Sequence, residues 1–268
     1  MVQALKSVFL VGAACFVITK QLAAHEYILL TNTYKPKTGD SLSLRLFVAD
    51  GFNIEAERPF ENRMAAAFTF YNQRGIIDVR DLAREKSIPF FSTPVNFNGL
   101  GLFRLDRDYA YISLEPAKFR AYLKEDHIEN ITLPASATQP QRERYSRYIK
   151  CLVQSKPQPL DTTYKTITGQ ELEIILLQNP YSLKPGQTLQ VQLLYQGKPL
   201  AGKMLTARQR AGSQPATAQV ARTNVQGICN FTLGRQGEWF IHVTHIVPCA
   251  DKQAADWESF WASYSFGI

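Results

Sequence analysis

The chain of 268 residues contains four histidines, and one of them has an unusual chemical setting. His25 follows Ala23 and Ala24, so cleavage after Ala24 would leave it as the first residue, with a free α-amine. An amine and an imidazole on one residue can chelate a divalent ion, and nitrogen donors suit the later first-row metals. The amine has an ordinary pKa of about 7.7–8.0, so a metal displaces its proton at modest cost near neutral pH. The sequence therefore predicts a site for Ni²⁺, Co²⁺ or Cu²⁺ at His25.

The segment 240–245 (FIHVTH) supplies the candidates for the remaining ligands. Residues three apart on a regular strand point to opposite faces, so His242 and His245 can face one ion only if the strand ends or bulges near Thr244. We favour His245, because the strand is expected to give way to a loop there, and place His242 second. His127 follows a predicted helix and is interpreted as solvated. A purely structural role in a strand is the competing interpretation of the other histidines.

Residues 1–24 have the composition of a signal peptide. Lys6 gives a positive start, and Val8 to Thr19 is an apolar run of about a dozen residues, short of the roughly 20 that span a bilayer. No later segment is apolar enough to cross. We therefore expect an exported, periplasmic protein with no membrane span after cleavage. The mature chain would keep 244 residues (268 − 24), and loss of Lys6 and Lys20 would lower the net charge from +7 to +5.

Strand patterns dominate the rest of the chain. Leu42, Leu44, Leu46 and Val48 alternate with more polar residues, which is the period of a half-buried strand. Residues 169–245 divide into short strands with turns about every 8 to 12 residues, the rhythm of an immunoglobulin-like sandwich. We predict a mainly β chain of two β-sandwich domains, residues 25–156 and 160–268, the second immunoglobulin-like.

Two helices are predicted inside the first domain. Pro116 suits a first helical turn, and Phe119, Tyr122 and Leu123 then form an apolar stripe. A second helix is predicted from about Gln141 to Leu152, with a buried side formed by Tyr145, Tyr148 and Ile149. Its basic residues have helical spacing and are interpreted as a solvated face, so no nucleic-acid partner is expected; they are Arg142, Arg144, Arg147 and Lys150.

Three cysteines would remain after cleavage, and an odd number in an oxidising compartment predicts one disulfide and one thiol. Cys229 lies in an apolar strand-like run, which leaves Cys151 and Cys249 as the candidate disulfide. Asp106 and Asp108 are interpreted as parts of a solvated hairpin. The aromatic residues Trp257, Phe260 and Trp261 have helix-like spacing and are interpreted as packing between the domains.

Three blocks of the sequence resemble one known family. They are AHEYILL with the strand that follows it, GLFRLDRDYAYISLEPAKFRAYLKEDHI, and GEWFIHVTHIVP with DWESFWASYSF. Together they are similar to the periplasmic NikM-like family of unknown function, once described as a nickel-uptake substrate-specific transmembrane region. The middle block, YQGKPLAGKMLTARQ to GEWFIHV, resembles the carboxypeptidase-regulatory or transthyretin-like sandwich. The resemblance implies a link to nickel or cobalt uptake.

Motifs of common enzyme classes are missing: the sequence contains no HExxH, GxSxG, phosphate loop or Cys-x-x-Cys. We therefore expect a protein that is not an enzyme. The first hypothesis is a periplasmic metal-binding protein that passes nickel, cobalt or copper to or from an inner- or outer-membrane transporter. The alternative is a non-catalytic envelope module that docks a membrane receptor or transporter. Copper redox chemistry at a terminal histidine is the weakest of the three.

Overall fold

A computed structural model describes residues 25–268; the predicted signal peptide, residues 1–24, lies outside the described residues. The first half holds eight strands and one α-helix. In chain order they are β1 (Glu26–Thr31), β2 (Ser41–Asp50), β3 (Asn53–Arg58), β4 (Ala65–Asn72), β5 (Gly75–Asp78), β6 (Phe91–Pro94), β7 (Leu100–Leu114), α1 (Pro116–Glu125) and β8 (Gln141–Gln154).

The second half is built from strands joined by turns and short 3₁₀ segments. Its strands are β9 (Leu172–Leu176), β10 (Thr188–Tyr195), β11 (Lys198–Pro199), β12 (Met204–Arg210), β13 (Thr217–Arg222), β14 (Ile228–Thr232), β15 (Glu238–Pro248) and β16 (Trp257–Gly267). The prediction of a mainly β chain is confirmed. No helix among residues 25–268 combines the length and apolar composition that a bilayer crossing requires.

The strands form three sheets. The central sheet has eight strands in the order β13-β12-β15-β16-β8-β7-β4-β5. The N-terminal outer sheet contains β1, β2, β3 and β6, and the C-terminal outer sheet contains β9, β10, β11 and β14. Each outer sheet packs on the central sheet as a β-sandwich.

The two outer sheets cover opposite faces of the central sheet. On β8, Ile149 and Cys151 pack in the core shared with the N-terminal outer sheet. Tyr148 and Leu152 on the same strand pack in the core shared with the C-terminal outer sheet. Because successive strand residues point to opposite faces, this division means that the middle of the central sheet is buried on both sides.

The predicted boundary near residues 156–160 lies in the connection that leaves β8. The two halves are nevertheless joined beyond this connection, because β8 pairs in parallel with β16 from Trp257↔Glu143 to Ser265↔Cys151. The first strand is also fixed to the last, by side-chain hydrogen bonds between the two sheets: Ser263 Oγ donates to the Tyr27 carbonyl at 2.8 Å, and Ser265 Oγ donates to the Leu29 carbonyl. Strands from both halves thus share one central sheet.

The helix predicted at Pro116 is confirmed, and α1 buries Phe119, Tyr122 and Leu123 as expected. The second predicted helix, from about Gln141 to Leu152, is wrong, because these residues form β8. A strand covered on both faces has apolar residues at odd and even positions, so the helical spacing of Tyr145, Tyr148 and Ile149 did not report a helix.

The aromatic residues near the C terminus are also strand residues, in β16. Trp257 and Trp261 lie on the face covered by α1, where Tyr122 stacks on Trp261 with ring centroids 5.7 Å apart. Phe260 faces the opposite core, 5.1 Å from the ring of Tyr195. The helix-like spacing was again that of a strand buried on both sides.

The predicted disulfide between Cys151 and Cys249 does not form, and Cys151, Cys229 and Cys249 are buried free thiols. Cys151 pairs with Ser265 near one end of β16, whereas Cys249 follows Pro248, which pairs with Trp257 at the other end. Eight residues of strand separate these levels, or roughly 26 Å at about 3.3 Å per residue. A disulfide requires Cα atoms within about 7 Å.

Asp106 also differs from its prediction. It is buried on β7, where it pairs with the Arg104 guanidinium and accepts a hydrogen bond of 2.6 Å from Gln170 Nε2. Asp108 is exposed, as expected for a solvated residue. The two carboxylates therefore lie in different environments and do not form a pair for general acid–base chemistry.

Candidate functional site at the start of β1

His25 directly precedes β1, and successive side chains along this strand point to opposite faces of the sheet. His25 and Tyr27 border one cleft, whereas the Glu26 side chain between them points to the other side of the strand. There its Oε1 lies 2.8 Å from His242 Nε2. The Glu26 side chain therefore points away from His25. The same alternation separates His25 from His242.

A carboxylate that the sequence did not single out lies next to His25. Glu55 Oε2 is 3.2 Å from His25 Nδ1, and both side chains are partly exposed, at 27% for His25 and 41% for Glu55. Glu55 comes from β3, two strands away across β2. Where β2 pairs with β3, Val48 lies opposite Ala56 and Ala49 lies opposite Ile54, so Glu55 is the extra residue of a β-bulge. A bulge re-aims a side chain, which accounts for its reach toward His25.

His242 belongs to a buried ionic cluster and not to the surroundings of His25. Burial disfavours the charged imidazole, but the Glu26 carboxylate outweighs this effect and raises the pKa of His242. The pKa of Glu26 is lowered by His242, by Arg208 and by the Gly51 N–H, which together outweigh its desolvation. His242 and Glu26 border a second cavity with Asp126, whose pKa burial raises to about 6.

His245 was the favoured partner of His25, and this prediction is wrong. The strand β15 continues to Pro248 without interruption, so His245 and His242 point to opposite faces of the central sheet. The ring of His245 packs 4.6 Å from that of Tyr195 in the opposite core. Burial, aided by the charge of Lys203, lowers its pKa to about 4. His245 is therefore a neutral core residue.

The three histidines His25, His242 and His245 thus occupy three separate environments. In the described part of the chain, no group of three or more His, Cys, Asp or Glu side chains is arranged to hold a metal ion. His25 and Glu55 form a two-donor arrangement. A third donor at this place is the α-amine of His25, which exists only if the chain begins there.

The cleft beside His25 has a volume of about 220 Å³. It lies between the N-terminal outer sheet and the face of the central sheet that also packs against α1. We call it the His25 cleft. Its polar and charged lining consists of His25, Arg58, Glu143 and Arg147, and its aromatic lining of Tyr27, Tyr122, Tyr145 and Trp261. Val48, Ile112 and Leu114 complete the wall. The cleft therefore combines an apolar surface with a few charged groups, as small-molecule sites do.

Glu143 is the most deeply buried charged group of the cleft, with 2% exposure. Its Oε1 accepts hydrogen bonds from Tyr122 Oη and Ser259 Oγ, while its Oε2 has no partner among the described residues. Burial raises the pKa of Glu143 to about 7, although these two donors and Arg147 favour the charged form. Glu143 is therefore protonated far more readily near neutral pH than an exposed glutamate.

Arg147 crosses the cleft as a guanidinium held between aromatic rings. Its Cζ lies 3.9 Å from the ring centroid of Tyr27, 4.4 Å from that of Tyr145 and 5.7 Å from that of Trp261. Cation–π contacts of this kind fix the plane of an arginine without neutralising it. Within residues 25–268 no carboxylate lies within ion-pair distance of Arg147, and its buried Nε lacks a hydrogen-bond partner.

Sequence reasoning missed Glu55, Glu143 and Arg147. Glu143 and Arg147 are four apart, which suits one face of a helix; on β8 an even separation also places them on one face. The pattern was therefore visible, but it was assigned to a solvated helix. Glu55 gave no signal, because a bulge does not show in the alternation of NIEAER.

Comparison with known proteins identifies the family of the chain. A family model described as a domain of unknown function, DUF4198, matches residues 22–247, so the chain belongs to this family. No curated protein matches it significantly.

Among solved structures, a tetra-tandem repeat in the extending region of a large adhesion protein is 9% identical with a TM-score of 0.22. The match covers 91% of this chain and 49% of that one. This chain therefore spans about half the length of that structure. The D0-D1 domain of intimin is 10% identical with a TM-score of 0.20, over 91% of this chain and 98% of that one.

Proposed function

We propose that the protein is a periplasmic metal-binding protein, in which His25 becomes the first residue and holds Ni²⁺, Co²⁺ or Cu²⁺ through its α-amine and Nδ1. Glu55 is the third donor. The observation that carries the proposal is the distance of 3.2 Å between His25 Nδ1 and Glu55 Oε2. Two ligands with metal bonds near 2 Å lie roughly 3 to 4 Å apart on one ion, so the pair has a fitting separation.

The Nδ1 atom of His25 is free to accept a ligand bond. It is buried and lacks a hydrogen-bond partner among the described residues, although the His25 and Glu55 side chains as a whole are partly exposed. The donor set is amine, imidazole and carboxylate, which the Irving–Williams order ranks strongest for Cu²⁺. Delivery to or from a membrane transporter, and the link to nickel or cobalt uptake that the NikM-like resemblance implies, belong to this proposal.

The test uses protein purified after export and shown by mass spectrometry to begin at His25. Calorimetric titration with Ni²⁺ and with Cu²⁺ should give about one equivalent. Protein that begins at Gln21 carries its α-amine four residues before His25, too far for a small chelate ring, so its affinity should fall by at least about tenfold. Unchanged binding in this extended protein would contradict the terminal chelate.

The contribution of the carboxylate is tested by Glu55→Gln, which keeps the shape of the side chain and removes its charge. We expect the metal affinity to fall by roughly tenfold. Glu57→Gln is the matched control, since Glu57 lies on the same strand and pairs with Arg45 instead. Equal losses in the two variants would mean that Glu55 acts only through the general charge of β3.

A second candidate function is supported by a different surface. The strand β5 forms one end of the central sheet and exposes Ile76 and Ile77, and Leu82 beyond it is 68% exposed. An apolar sheet edge is a place where another chain can add a strand. A non-catalytic envelope module would dock its membrane partner there. Cross-linking from β5 to one membrane protein, lost in Ile77→Lys while metal binding persists, would favour this function.

A further inference from the structure

The His25 cleft contains two features that a metal at His25 does not explain. Among residues 25–268, Arg147 has no counterion within ion-pair distance and Glu143 presents a carboxyl oxygen without a hydrogen-bond partner. Buried polar groups in folded proteins are almost always hydrogen-bonded, and an unpaired group costs free energy. Their presence in one cleft therefore calls for a ligand that would satisfy both.

The arrangement of charged side chains around Tyr27 indicates that the ligand carries a negative charge. Arg107 on β7 lies directly opposite Arg147 on β8, and both guanidinium groups contact the ring of Tyr27. Like charges directly opposite each other on neighbouring strands repel. Arg107 is 6% exposed and has an acidic neighbour, Glu61, at 3.4 Å. Arg147 has no such neighbour among the described residues. Arg58 adds a third positive charge at the cleft.

The other residues that line the cleft indicate that the ligand also has an apolar part. Trp261, Ile112 and Leu114 provide an apolar and aromatic surface next to Arg147. A volume of about 220 Å³ lies below the roughly 300–1,000 Å³ of drug-sized ligand pockets, so a small molecule fits best. An inorganic ion would leave this apolar surface uncovered.

We propose that the His25 cleft binds a small organic carboxylate, with its carboxylate on the guanidinium of Arg147 and its apolar body against Trp261, Ile112 and Leu114. The protonated Glu143 carboxyl donates a hydrogen bond to the ligand from Oε2. The aromatic rings of Tyr27 and Tyr145 hold the guanidinium plane, so its N–H groups are oriented before the ligand arrives. The site does not require the metal.

The test uses exported, metal-free protein and phenylacetate as the probe, with phenethylamine as a cation of similar shape. Calorimetry should detect saturable binding of phenylacetate and none of phenethylamine. Arg147→Gln should weaken phenylacetate binding by at least about tenfold, since it removes the charge-assisted hydrogen bonds to the ligand carboxylate. The matched control is Arg144→Gln, on the same strand but the opposite face and paired with Glu258. It should bind like the wild type.

A measurement on the wild type covers the case in which Arg147→Gln does not fold. In a nitrogen-labelled sample the indole N–H signal of Trp261 should shift on addition of phenylacetate. The signal of Trp239, which is buried in the opposite core, should stay. No saturable binding, equal binding of the amine, equal losses in both arginine variants, or an unmoved Trp261 signal would each overturn the proposal. Since metal titration is measured separately, failure here leaves the His25 chelate standing, and the reverse also holds.

Discussion

At the scale of single residues, Glu143 couples the stability of the protein to pH. Its pKa rises from 4.5 to about 7 on folding because it is buried. A group with a raised folded pKa contributes stability that is fully present below its unfolded value and is lost as pH rises through the folded one. The folded protein therefore loses up to about 3 kcal/mol between pH 4.5 and 7 on account of this carboxyl.

Glu143→Gln should remove this loss, because glutamine has no charge and its oxygen still accepts from Tyr122 and Ser259. We expect the variant to exceed the wild type in unfolding free energy by about 1–3 kcal/mol at pH 8, and to differ little at pH 4.5. Urea denaturation at the two pH values measures this, with the exposed Glu115→Gln as control. A variant less stable than the wild type at pH 8 would show that the buried charge is compensated.

The ion pair of His242 and Glu26 depends on pH from both sides. The raised pKa of His242 means that its contribution is complete below about pH 6.5 and is lost as pH rises through the folded value. The lowered pKa of Glu26 means that its contribution is present above about pH 4.5 and is lost as pH falls. The ion pair should therefore stabilise the fold most between about pH 4.5 and 6.5.

His242→Gln should accordingly destabilise the protein by about 1–3 kcal/mol at pH 5.5, and by clearly less at pH 9. The comparison is made by chemical denaturation against His127→Gln, whose side chain is exposed and whose substitution should have little effect at either pH. A deficit of the same size at pH 9 would mean that His242 acts through packing and not through its charge.

At the scale of elements, the pattern of burial decides what the sequence could predict. Along most of β2, buried residues alternate with partly or fully exposed ones. Leu42, Leu44 and Leu46 therefore alternate with more polar residues in the sequence, and the strand was predicted. β8 is buried on both faces over most of its length, and its residues lost that alternation. The histidines of the candidate site could also be identified from the sequence. Their separation was not, because it depends on β15 continuing past Thr244. The position of Glu55 beside His25 was not visible either, because it depends on a β-bulge.

A buried ion pair connects β8 to the C-terminal outer sheet. Lys150 Nζ lies 2.7 Å from Glu173 Oε1 on β9, and both side chains are 1% exposed. Removal of one partner leaves a charge buried and unpaired, which typically costs about 3–5 kcal/mol. We therefore expect Glu173→Ala to lower the unfolding free energy by that amount.

The double variant Lys150→Met with Glu173→Gln should recover a large part of this loss. It removes both charges, and the glutamine oxygen can still accept from Thr168, as the carboxylate does. The double-mutant cycle is measured by urea denaturation, with Lys150→Met and Glu173→Gln as the single variants. Additive effects of the two single changes would contradict a coupled pair.

At the scale of the whole molecule, the shared central sheet should make the two halves unfold as one unit. In the first half alone β8 would be an edge strand, but in the central sheet it pairs with β7 on one side and with β16 on the other. Separation of the halves would expose the apolar edges of β8 and β16 together with the surfaces that β1 covers through Ser263 and Ser265.

We therefore expect a single calorimetric transition, with equal van't Hoff and calorimetric enthalpies, although the sequence suggested two domains. Residues 25–156 expressed alone should lack cooperative unfolding, because the exposed edge of β8 would have no partner strand. Residues 160–268 alone are the matched fragment, and mixing the two fragments should restore the cooperative transition. Two resolved transitions in the intact protein, or a fragment that unfolds cooperatively by itself, would mean that the parallel pairing of β8 with β16 contributes little to the stability of either half.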